Sequence, residues 1–186
     1  VGAHGNGMFG IRTDITAMVL KMNDDGSCVL FSGSHEMGNA AITMQKQMVS
    51  EVLGLPMDMI SAVSADTELT PYQLGDYSSR GAFVSGRAAM EVSLDMRSKL
   101  ASLASEQLGA SADSLVFSGG RATSPDGTGV SIGEIVQFAR HKKFTELISE
   151  HTTASPAAVI SYGAHIVKVR VDTVTGAVEL LDYAAV

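Results

Sequence analysis

The sequence predicts an α+β fold, a mixed β-sheet with hairpins and two main helices packed on it. Two pairs of strand-like runs are separated by turn sequences, Asn23–Gly26 in the first pair and Val174–Gly176 in the second. Such pairs are typical of antiparallel hairpins. Two longer segments, 39–54 and 79–108, carry apolar residues at helical spacing instead. Helices placed between hairpins indicate the α+β class with a mixed sheet.

The composition is that of a globular domain with a real core. The 186 residues are 45% apolar and 18% charged, and the net charge is −7. Scattered basic residues in an acidic chain argue against nucleic-acid and membrane-surface partners. No apolar run has the length of a bilayer span. The single cysteine, Cys28, lies in a strand-like run, which indicates a small buried hydrophobe in a reducing, cytoplasmic compartment.

The N-terminal half alternates strands with one helix. The glycine-rich stretch 1–9 is predicted to be a loop or a lead-in strand. Its Gly5–Gly10 spacing imitates a dinucleotide motif, but a strand rather than a helix follows, so that motif is rejected. The predicted strands are 13–22, 27–33 and 59–64. The helix 39–54 ends at Gly54, and its apolar face is predicted from Ala41, Met44, Met48 and Val52.

A long helix and several shorter elements follow. The helix is predicted from Ser79 to about Leu108, and Gly109 ends it. Its stripe consists of Ala82, Gly86, Ala89, Val92, Met96, Leu100 and Leu103. Ser131 begins a capping-box sequence for a short helix up to about His141. The predicted strands of this half are 114–120, 121–124, 144–153, 162–172 and 177–186, with a proline-containing loop over 154–158.

The first candidate binding loop is Gly38–Ala40, which leads into the helix 39–54. The first N–H groups of a helix have no intrahelical acceptor and favour anions. Gly38 lets the backbone approach a ligand closely, and Asn39 offers an amide donor and acceptor. The alternative is that Asn39 is only the N-cap of the helix.

The second candidate binding loop is Ser78–Gly81, which leads into the long helix. The hydroxyl groups of Ser78 and Ser79 and the charge of Arg80 can together hold a phosphate. The alternative is a plain serine N-cap with Arg80 paired to Asp76 or Glu68. Two such loops form one site only if the fold brings them together.

The remaining polar residues do not form a recognisable reactive constellation. His35 and Glu36 are neighbours, but no second histidine or cysteine lies nearby at a metal-ligand spacing. They are predicted to lie in a polar loop at a strand end. A stand-alone hydrolase lacks support, because the one Gly-x-Ser-x-Gly run in the sequence, Gly129–Gly133, contains the serine that is predicted to cap a short helix.

The ordered set of segments resembles one known family, the molybdenum hydroxylases. The run Gly33–Ala40 looks like the Gly-Gly-Thr-Glu-Met-Gly-Gln-Gly loop of xanthine dehydrogenase, aldehyde oxidase and carbon monoxide dehydrogenase large subunits. The segments that follow in the family's order are Leu53–Pro56, Asp66–Thr67, Thr70–Pro71, Ser78–Arg80 and Gly86. The closing run from Val167 to Tyr183 resembles the family's Val-x-Val-Asp-x-x-Thr-Gly-x-Val segment. The match extends from about Gly10 to Val186.

The resemblance implies the molybdenum-cofactor-binding portion of such a large subunit. It implies that the cofactor, molybdopterin with or without its dinucleotide extension, is contacted by Gly38, Asn39, Ala40, Ser78, Ser79, Arg80 and Gly81. The parent enzyme is expected to hydroxylate a C–H bond of a small-molecule substrate with water-derived oxygen. Iron–sulfur clusters and FAD are expected on other domains or subunits. No catalytic residue and no metal ligand are expected within this stretch, because the family's glutamate base lies further downstream.

The chain is expected to be a single domain, 1–186, cut from a larger subunit. It starts at Val1 and ends within a strand-like run, Ala184–Val186. The remainder of that subunit is then its main partner, and the isolated stretch is expected to be inactive. Asn39 stands where the family usually has glutamine, and Ala40 where it usually has glycine. These departures favour an alternative, a non-catalytic scaffold or assembly module with a degenerate cofactor cradle.

Overall fold

The structure, a computed structural model, describes residues 2–5, 14–154 and 160–186. Over these residues the chain forms eleven β-strands and three α-helices. In chain order they are β1 (Gly2–Gly5), β2 (Ile15–Met22), β3 (Cys28–Ser32), α1 (Ala41–Leu53), β4 (Ile60–Ser64), α2 (Gly86–Leu108), β5 (Val116–Ser118), β6 (Arg121–Thr123), β7 (Gly129–Ser131), α3 (Ile132–Lys143), β8 (Ile148–Ala154), β9 (Ile160–Gly163), β10 (His165–Val171) and β11 (Val178–Ala185).

The central sheet has the strand order β4-β3-β2-β8 and is mixed, as predicted. β3 runs parallel to β4, whereas β2 is antiparallel to both β3 and β8. The predicted first hairpin is therefore confirmed. Its turn is closed by hydrogen bonds from Asn23 N to Ser27 O and from Gly26 N to Asn23 O, at 2.8 and 2.9 Å. Cys28 follows the turn as a buried residue, and burial raises the pKa of its thiol to about 12.

The two long helices cover one face of this sheet. Alternate residues of β2 are buried beneath them, which is the period-2 pattern of a half-buried strand. The buried face of α1 differs from the predicted one, because it consists of Ala41, Gln45, Val49 and Leu53. Met44 and Met48 are instead half-buried beside α2. A Cβ at Gly86 would lie 3.1 Å from Met44 Sδ, so this glycine sets the close approach of the two helices.

A smaller antiparallel sheet, β5-β6-β7, and α3 extend the same core. The predicted capping box at the start of α3 is confirmed: Ser131 Oγ accepts from Glu134 N at 3.2 Å, and Glu134 Oε2 accepts from Ser131 N at 2.8 Å. Residues from both sheets and all three described helices join one hydrophobic cluster, among them Leu20, Val49, Met96, Phe117 and Ile135.

The C-terminal strands lie outside that cluster. β9 pairs with β1, and β10 and β11 form the predicted second hairpin, in which every residue is exposed. The Gly5–Gly10 spacing and most of the predicted 154–158 loop fall outside the described residues. None of the helices in the described part of the chain combines the length and apolarity that a membrane crossing requires.

Candidate functional site

The first loop continues β3 from Gly33 to Ala40 and lies against the segment before α2. Gly33 is buried, and a Cβ there would lie 2.5 Å from Gln73 Cβ and 2.9 Å from Pro71 O. Only glycine permits this close contact. Beyond Gly33 the loop turns outward, and all residues from His35 to Ala40 are exposed. His35 thus lies in the polar strand-end loop that the sequence predicts.

Glu36 organises the tip of the first loop. Its Oε1 accepts hydrogen bonds from Gly38 N at 2.9 Å and from Ala40 N at 3.0 Å. Asn39 Oδ1 lies 3.3 Å from Ala41 N, although the N-cap position itself belongs to Ala40, whose φ of 55° is left-handed. A carboxylate at a helix N-terminus is electrostatically favoured. The expectation that this helix start leaves its N–H groups unpaired is therefore wrong for Gly38 and Ala40.

The second loop has an unusual backbone. Ser78 and Ser79 both have positive φ, 49° and 53°, a region that costs a non-glycine residue about 1–2 kcal/mol. A π-helical turn, Gly81–Ser85, then precedes α2. Helical structure therefore begins with this π-helical turn, just after the predicted start at Ser79, because Ser78 and Ser79 are left-handed; it continues directly into α2 at Gly86.

Arg80 is an internal anchor of the second loop. Its residue surface is 0% exposed, and its guanidinium is paired with Asp14. It also donates to Gly75 O at 2.7 Å, to Ile15 O at 2.8 Å and to Thr16 Oγ1 at 2.8 Å. Both sequence alternatives for its partner, Asp76 and Glu68, are therefore replaced by Asp14. The guanidinium faces the interior, so its charge holds the loop on β2 and does not lie at the protein surface.

Tyr77 lies beside this buried ion pair. The Arg80 guanidinium carbon is 5.7 Å from the centroid of the Tyr77 ring, a cation–π distance. Burial raises the pKa of the Tyr77 hydroxyl, and the negative charge of Asp14 raises it further against the opposing charge of Arg80. The ring thus forms part of the anchor on which the second loop is held.

The fold brings the two loops together. Asp76 Oδ2 accepts from His35 N at 2.7 Å and lies 3.2 Å from His35 Nδ1. Gln73 Nε2 lies 3.4 Å from Ser34 Oγ and 3.2 Å from Asp76 Oδ1. Side chains between the loops thus connect the chain before Gly38 with the chain before Ser78. These contacts link the stretches that lead into the two candidate loops, at residues 34–35 and 73–76.

A cavity of about 560 Å³ borders the loops. Its lining combines hydroxyl, imidazole and apolar groups from Gly33, His35, Ala65, Thr67, Thr70, Pro71, Tyr72 and Gln73. Sequence reasoning places Thr67 and Thr70 in the loop before the second helix, but it gives no role to Glu36 or Gln73. The signal for Glu36 is a carboxylate just before a helix start. The contacts of Gln73 are made across the fold, and no local pattern marks them.

The donor chemistry of the two loops suits a phosphate-bearing pterin. A Cβ added at Gly38 or Gly81 would meet nothing within 4 Å, so both glycines leave open space above the backbone. The hydroxyls of Ser78 and Ser79 and the amide nitrogen of Asn39 are donors of the kind that a phosphate accepts from. Within 2–5, 14–154 and 160–186, no three His, Cys, Asp or Glu side chains are grouped to hold a metal ion.

Several known proteins have sequences similar to this chain, and one of them is named as a molybdenum-binding subunit. The sequence profile of the family described as "Molybdopterin cofactor-binding domain" matches residues 2–186. The chain is 28% identical over 169 residues to "Probable hypoxanthine oxidase XdhD" of Escherichia coli K12, a match that covers 90% of this chain and 18% of that protein. It is 32% identical over 108 residues to "Xanthine dehydrogenase molybdenum-binding subunit" of Escherichia coli O157:H7, covering 58% of this chain and 14% of that protein.

Solved structures share the fold. Quinoline 2-oxidoreductase from Pseudomonas putida 86 superposes with a TM-score of 0.83 at 22% identity, over 98% of this chain and 25% of that chain. The Cu,Mo-CO dehydrogenase gives a TM-score of 0.82 at 20% identity, also over 98% of this chain and 25% of that chain. The chain therefore spans about a quarter or less of the proteins that it matches.

The predicted family and fold are both confirmed by these matches. The family profile extends over nearly the whole chain, from residue 2 to residue 186. The α+β architecture recurs in both of these solved structures. This chain belongs to the family of molybdopterin cofactor-binding domains.

Proposed function

We propose that the two loops hold a molybdopterin cofactor in a larger oxidoreductase subunit. Gly38, Asn39 and Ala40 line one side of the proposed site, and Ser78, Ser79 and Gly81 line the other. Arg80 enters the proposal as the buried anchor that keeps the second loop in place. The single observation that carries the proposal is the His35–Asp76 contact, because it holds the two loops side by side.

Within this proposal the chain's own groups bind and orient. Gly38 and Gly81 let the cofactor approach the backbone, and the hydroxyls of Ser78 and Ser79 donate to its phosphate. The Asn39 amide reaches one methylene less far than glutamine does. When bound, the cofactor supplies the molybdenum centre at which a C–H bond of a small substrate is hydroxylated with oxygen from water. Iron–sulfur clusters and FAD, as the carriers of the electrons released, would be held on other domains or subunits.

A glycine that faces open space allows a direct test. Gly81→Leu in the full-length parent subunit places a side chain above the proposed site, at a position where an added Cβ meets no atom of the described chain within 4 Å. We expect it to melt at the temperature of the parent and to lose most of its bound pterin. The control is Ser102→Leu, at an exposed position near the other end of α2. Full pterin content in Gly81→Leu would contradict the site assignment.

A second candidate function is a non-catalytic scaffold with a degenerate cradle. It is favoured by Glu36, whose carboxylate already takes the Gly38 and Ala40 N–H groups that an anion needs. Titration of the 186-residue chain with molybdopterin, followed by fluorescence, separates the candidates. Saturable binding that weakens in Ser78→Ala and Ser79→Ala supports the cofactor role. Absence of binding to both the isolated chain and the full-length subunit supports the scaffold.

We propose that the chain is one domain, 1–186, and that its main partner is the remainder of the same subunit. The support is the hairpin of β10 and β11. Paired residues of neighbouring strands point to the same face, and one face is mainly apolar, with His165 beside Tyr183 at its end. Its large apolar members, all between 46% and 65% exposed, are Val167, Val169, Val171, Val178, Leu180 and Tyr183.

The opposite face of the hairpin carries the charged residues of these strands, together with Ile166 at one end. Arg170 and Glu179, which are cross-strand partners, form an ion pair there at 2.8 Å. An amphipathic hairpin with an exposed apolar face requires a covering surface. The chain spans 14% to 18% of the two matched Escherichia coli relatives, so the occupant we propose is further polypeptide of the parent subunit. The iron–sulfur and flavin domains are then reached through that remainder.

A cytoplasmic location of the parent enzyme is part of the same proposal. Cys28 is the sole cysteine of the sequence and is buried in β3, which suits a compartment without disulfides. Fractionation of cells that express the full-length protein checks this. We expect recovery with cytoplasmic markers, and recovery in a secreted or periplasmic fraction would contradict it.

A further inference from the structure

Gln73 lies between the two loops and makes side-chain contacts toward both of them. Its Nε2 is 3.4 Å from Ser34 Oγ, 3.2 Å from Asp76 Oδ1 and 3.3 Å from Ser85 Oγ. Its Oε1 accepts a hydrogen bond from Thr16 Oγ1 at 2.5 Å. One half-buried amide thus serves the first loop, the second loop, the start of the long helix and the central sheet.

The partners of Gln73 lead directly to the elements that fix each loop. Thr16 Oγ1 also accepts from the Arg80 guanidinium at 2.8 Å, so the acceptor end of Gln73 continues into the anchor of the second loop. Asp76 accepts from His35 N at 2.7 Å, so the donor end continues into the first loop. Removing the central member of a connected polar network disturbs the structure more than removing one peripheral hydrogen bond does.

The backbone of Gln73 is held in place independently of its side chain. It forms an antiparallel bridge with Thr16, and Ala17 N donates to Tyr72 O at 3.2 Å. Gly33 packs directly on Gln73 Cβ. Because the main chain is fixed, a change in the side-chain amide alters the spacing of the loops without releasing the segment from the sheet.

We propose that Gln73 is the positioning residue that sets the separation of the two cofactor loops. The proposal rests on the proposed function of those loops. An amide is required because the side chain must accept from Thr16 and donate toward Asp76 at the same time. A carboxylate keeps the first interaction, but it faces the Asp76 carboxylate with a second negative charge and pushes the loops apart.

The test is made in the full-length subunit. Two substitutions together swap donor and acceptor in the hydrogen bond between Gln73 and Asp76. Gln73→Glu is expected to lower the bound pterin per subunit by roughly tenfold, the scale on which supporting partners alter metal affinity. Adding Asp76→Asn places an amide donor opposite the new carboxylate. Its remaining oxygen still accepts from His35 N, so the double variant is expected to recover to within about twofold of the parent.

The control is Gln137→Glu. Gln137 is on α3, where its Nε2 donates to Asp24 O at 3.3 Å at an exposed position. We expect its pterin content to equal that of the parent. Normal content in Gln73→Glu overturns the proposal, and so does a loss that Asp76→Asn does not rescue, because general damage to folding is not repaired by a reversed contact.

Amide hydrogen exchange on cofactor-free subunit separates this proposal from the function on which it rests. Gln73→Glu is expected to speed exchange in both loops, 33–40 and 74–81, whereas Gln137→Glu leaves both unchanged. Suppose that Gly81→Leu keeps its pterin while Gln73→Glu speeds exchange in both loops. The cofactor assignment then fails, and the coupling of the loops through Gln73 stands. If exchange rises in neither loop, the coupling itself is wrong.

Discussion

The carboxylate of Asp14 and the guanidinium of Arg80 form an ion pair that is almost completely withdrawn from solvent. Their side chains are 2% and 0% exposed. The pair joins the residue before β2 to the residue before the π-helical turn, so it fixes the second loop on the central sheet. Two charges taken out of water are costly unless each remains paired. The position of the loop therefore depends on both residues.

Arg80→Met is expected to destabilise the 186-residue chain by about 3–5 kcal/mol, because it leaves the Asp14 carboxylate buried and unpaired. Adding Asp14→Leu removes that charge and is expected to recover part of the loss. Urea unfolding measures both. The control is Arg87→Met, which breaks a half-exposed pair with Glu91 and costs less than about 1 kcal/mol. Equal losses for the Arg80 and Arg87 variants would show that the buried pair has no special role.

Gly54→Ala and Gly109→Ala alter two helix ends that have the same backbone φ but different surroundings. Both glycines have a φ of 64° at the end of a helix. A Cβ at Gly54 would lie 2.5 Å from the carbonyl of Phe117, whereas one at Gly109 would meet nothing within 4 Å. Both variants incur the left-handed strain of about 1–2 kcal/mol. Gly54→Ala is expected to cost about 1–3 kcal/mol more from overpacking, and thermal melts that rank the two variants equally would refute this.

The lowered pKa of Glu91 leads us to expect a loss of stability in acid. Burial alone raises the pKa of Glu91, but hydrogen bonds from Thr153 and Arg87 and the charge of Arg87 outweigh it, so the folded-state pKa is below the ordinary value. A lowered folded-state pKa stabilises the fold above the unfolded pKa of about 4.3. That stabilisation disappears as the pH falls from there through the lowered pKa.

The measurement is the urea midpoint of the parent chain and of Glu91→Gln between neutral and strongly acidic pH. The two curves are expected to be separated near neutrality and to converge below about pH 4 as the carboxylate takes up its proton. A separation that stays constant down to the lowest pH would contradict the linkage.

The exposed hairpin face is tested by Val169→Lys combined with Leu180→Lys. These residues are cross-strand partners on the apolar face. In the 186-residue chain, unfolding of the core is expected to be unchanged, since the hairpin lies outside the hydrophobic cluster. In the full-length subunit, the yield of folded protein is expected to fall several-fold. Arg170→Ser with Glu179→Ser, on the polar face, is the control, and equal effects of both pairs would remove the basis for the docking face.

Local sequence patterns predict much of this fold because local physics decides those elements. The turn at Asn23–Gly26, the capping box at Ser131 and the helix-ending Gly54 and Gly109 each act over a few residues. The buried face of α1 is not decided by local sequence alone. Its buried Gln45 faces Ser34 Oγ at 2.8 Å, an interaction across the fold that hydrophobic periodicity does not detect.

In the candidate site, too, local sequence identifies the loops, whereas the contacts that shape them are made across the fold. Glycine and serine in the two loops mark them as binding candidates, but the partners that shape them are distant in sequence. Asp14 is 66 residues from Arg80, and Asp76 is 41 residues from His35. Residue propensities do not predict the left-handed Ser78 and Ser79 either, because their strain of about 1–2 kcal/mol each is maintained only by the surrounding structure. Local reasoning therefore finds the loops and misassigns the contacts of Arg80.

Amide hydrogen exchange on the full-length subunit, purified with and without its pterin, tests the central claim most directly. We predict that bound cofactor slows exchange in both loops, 33–40 and 74–81, while the β5–β7 region, 116–131, is unchanged. Protection that is confined to one loop, or that appears only outside both, would contradict the proposal that the two loops together hold the cofactor.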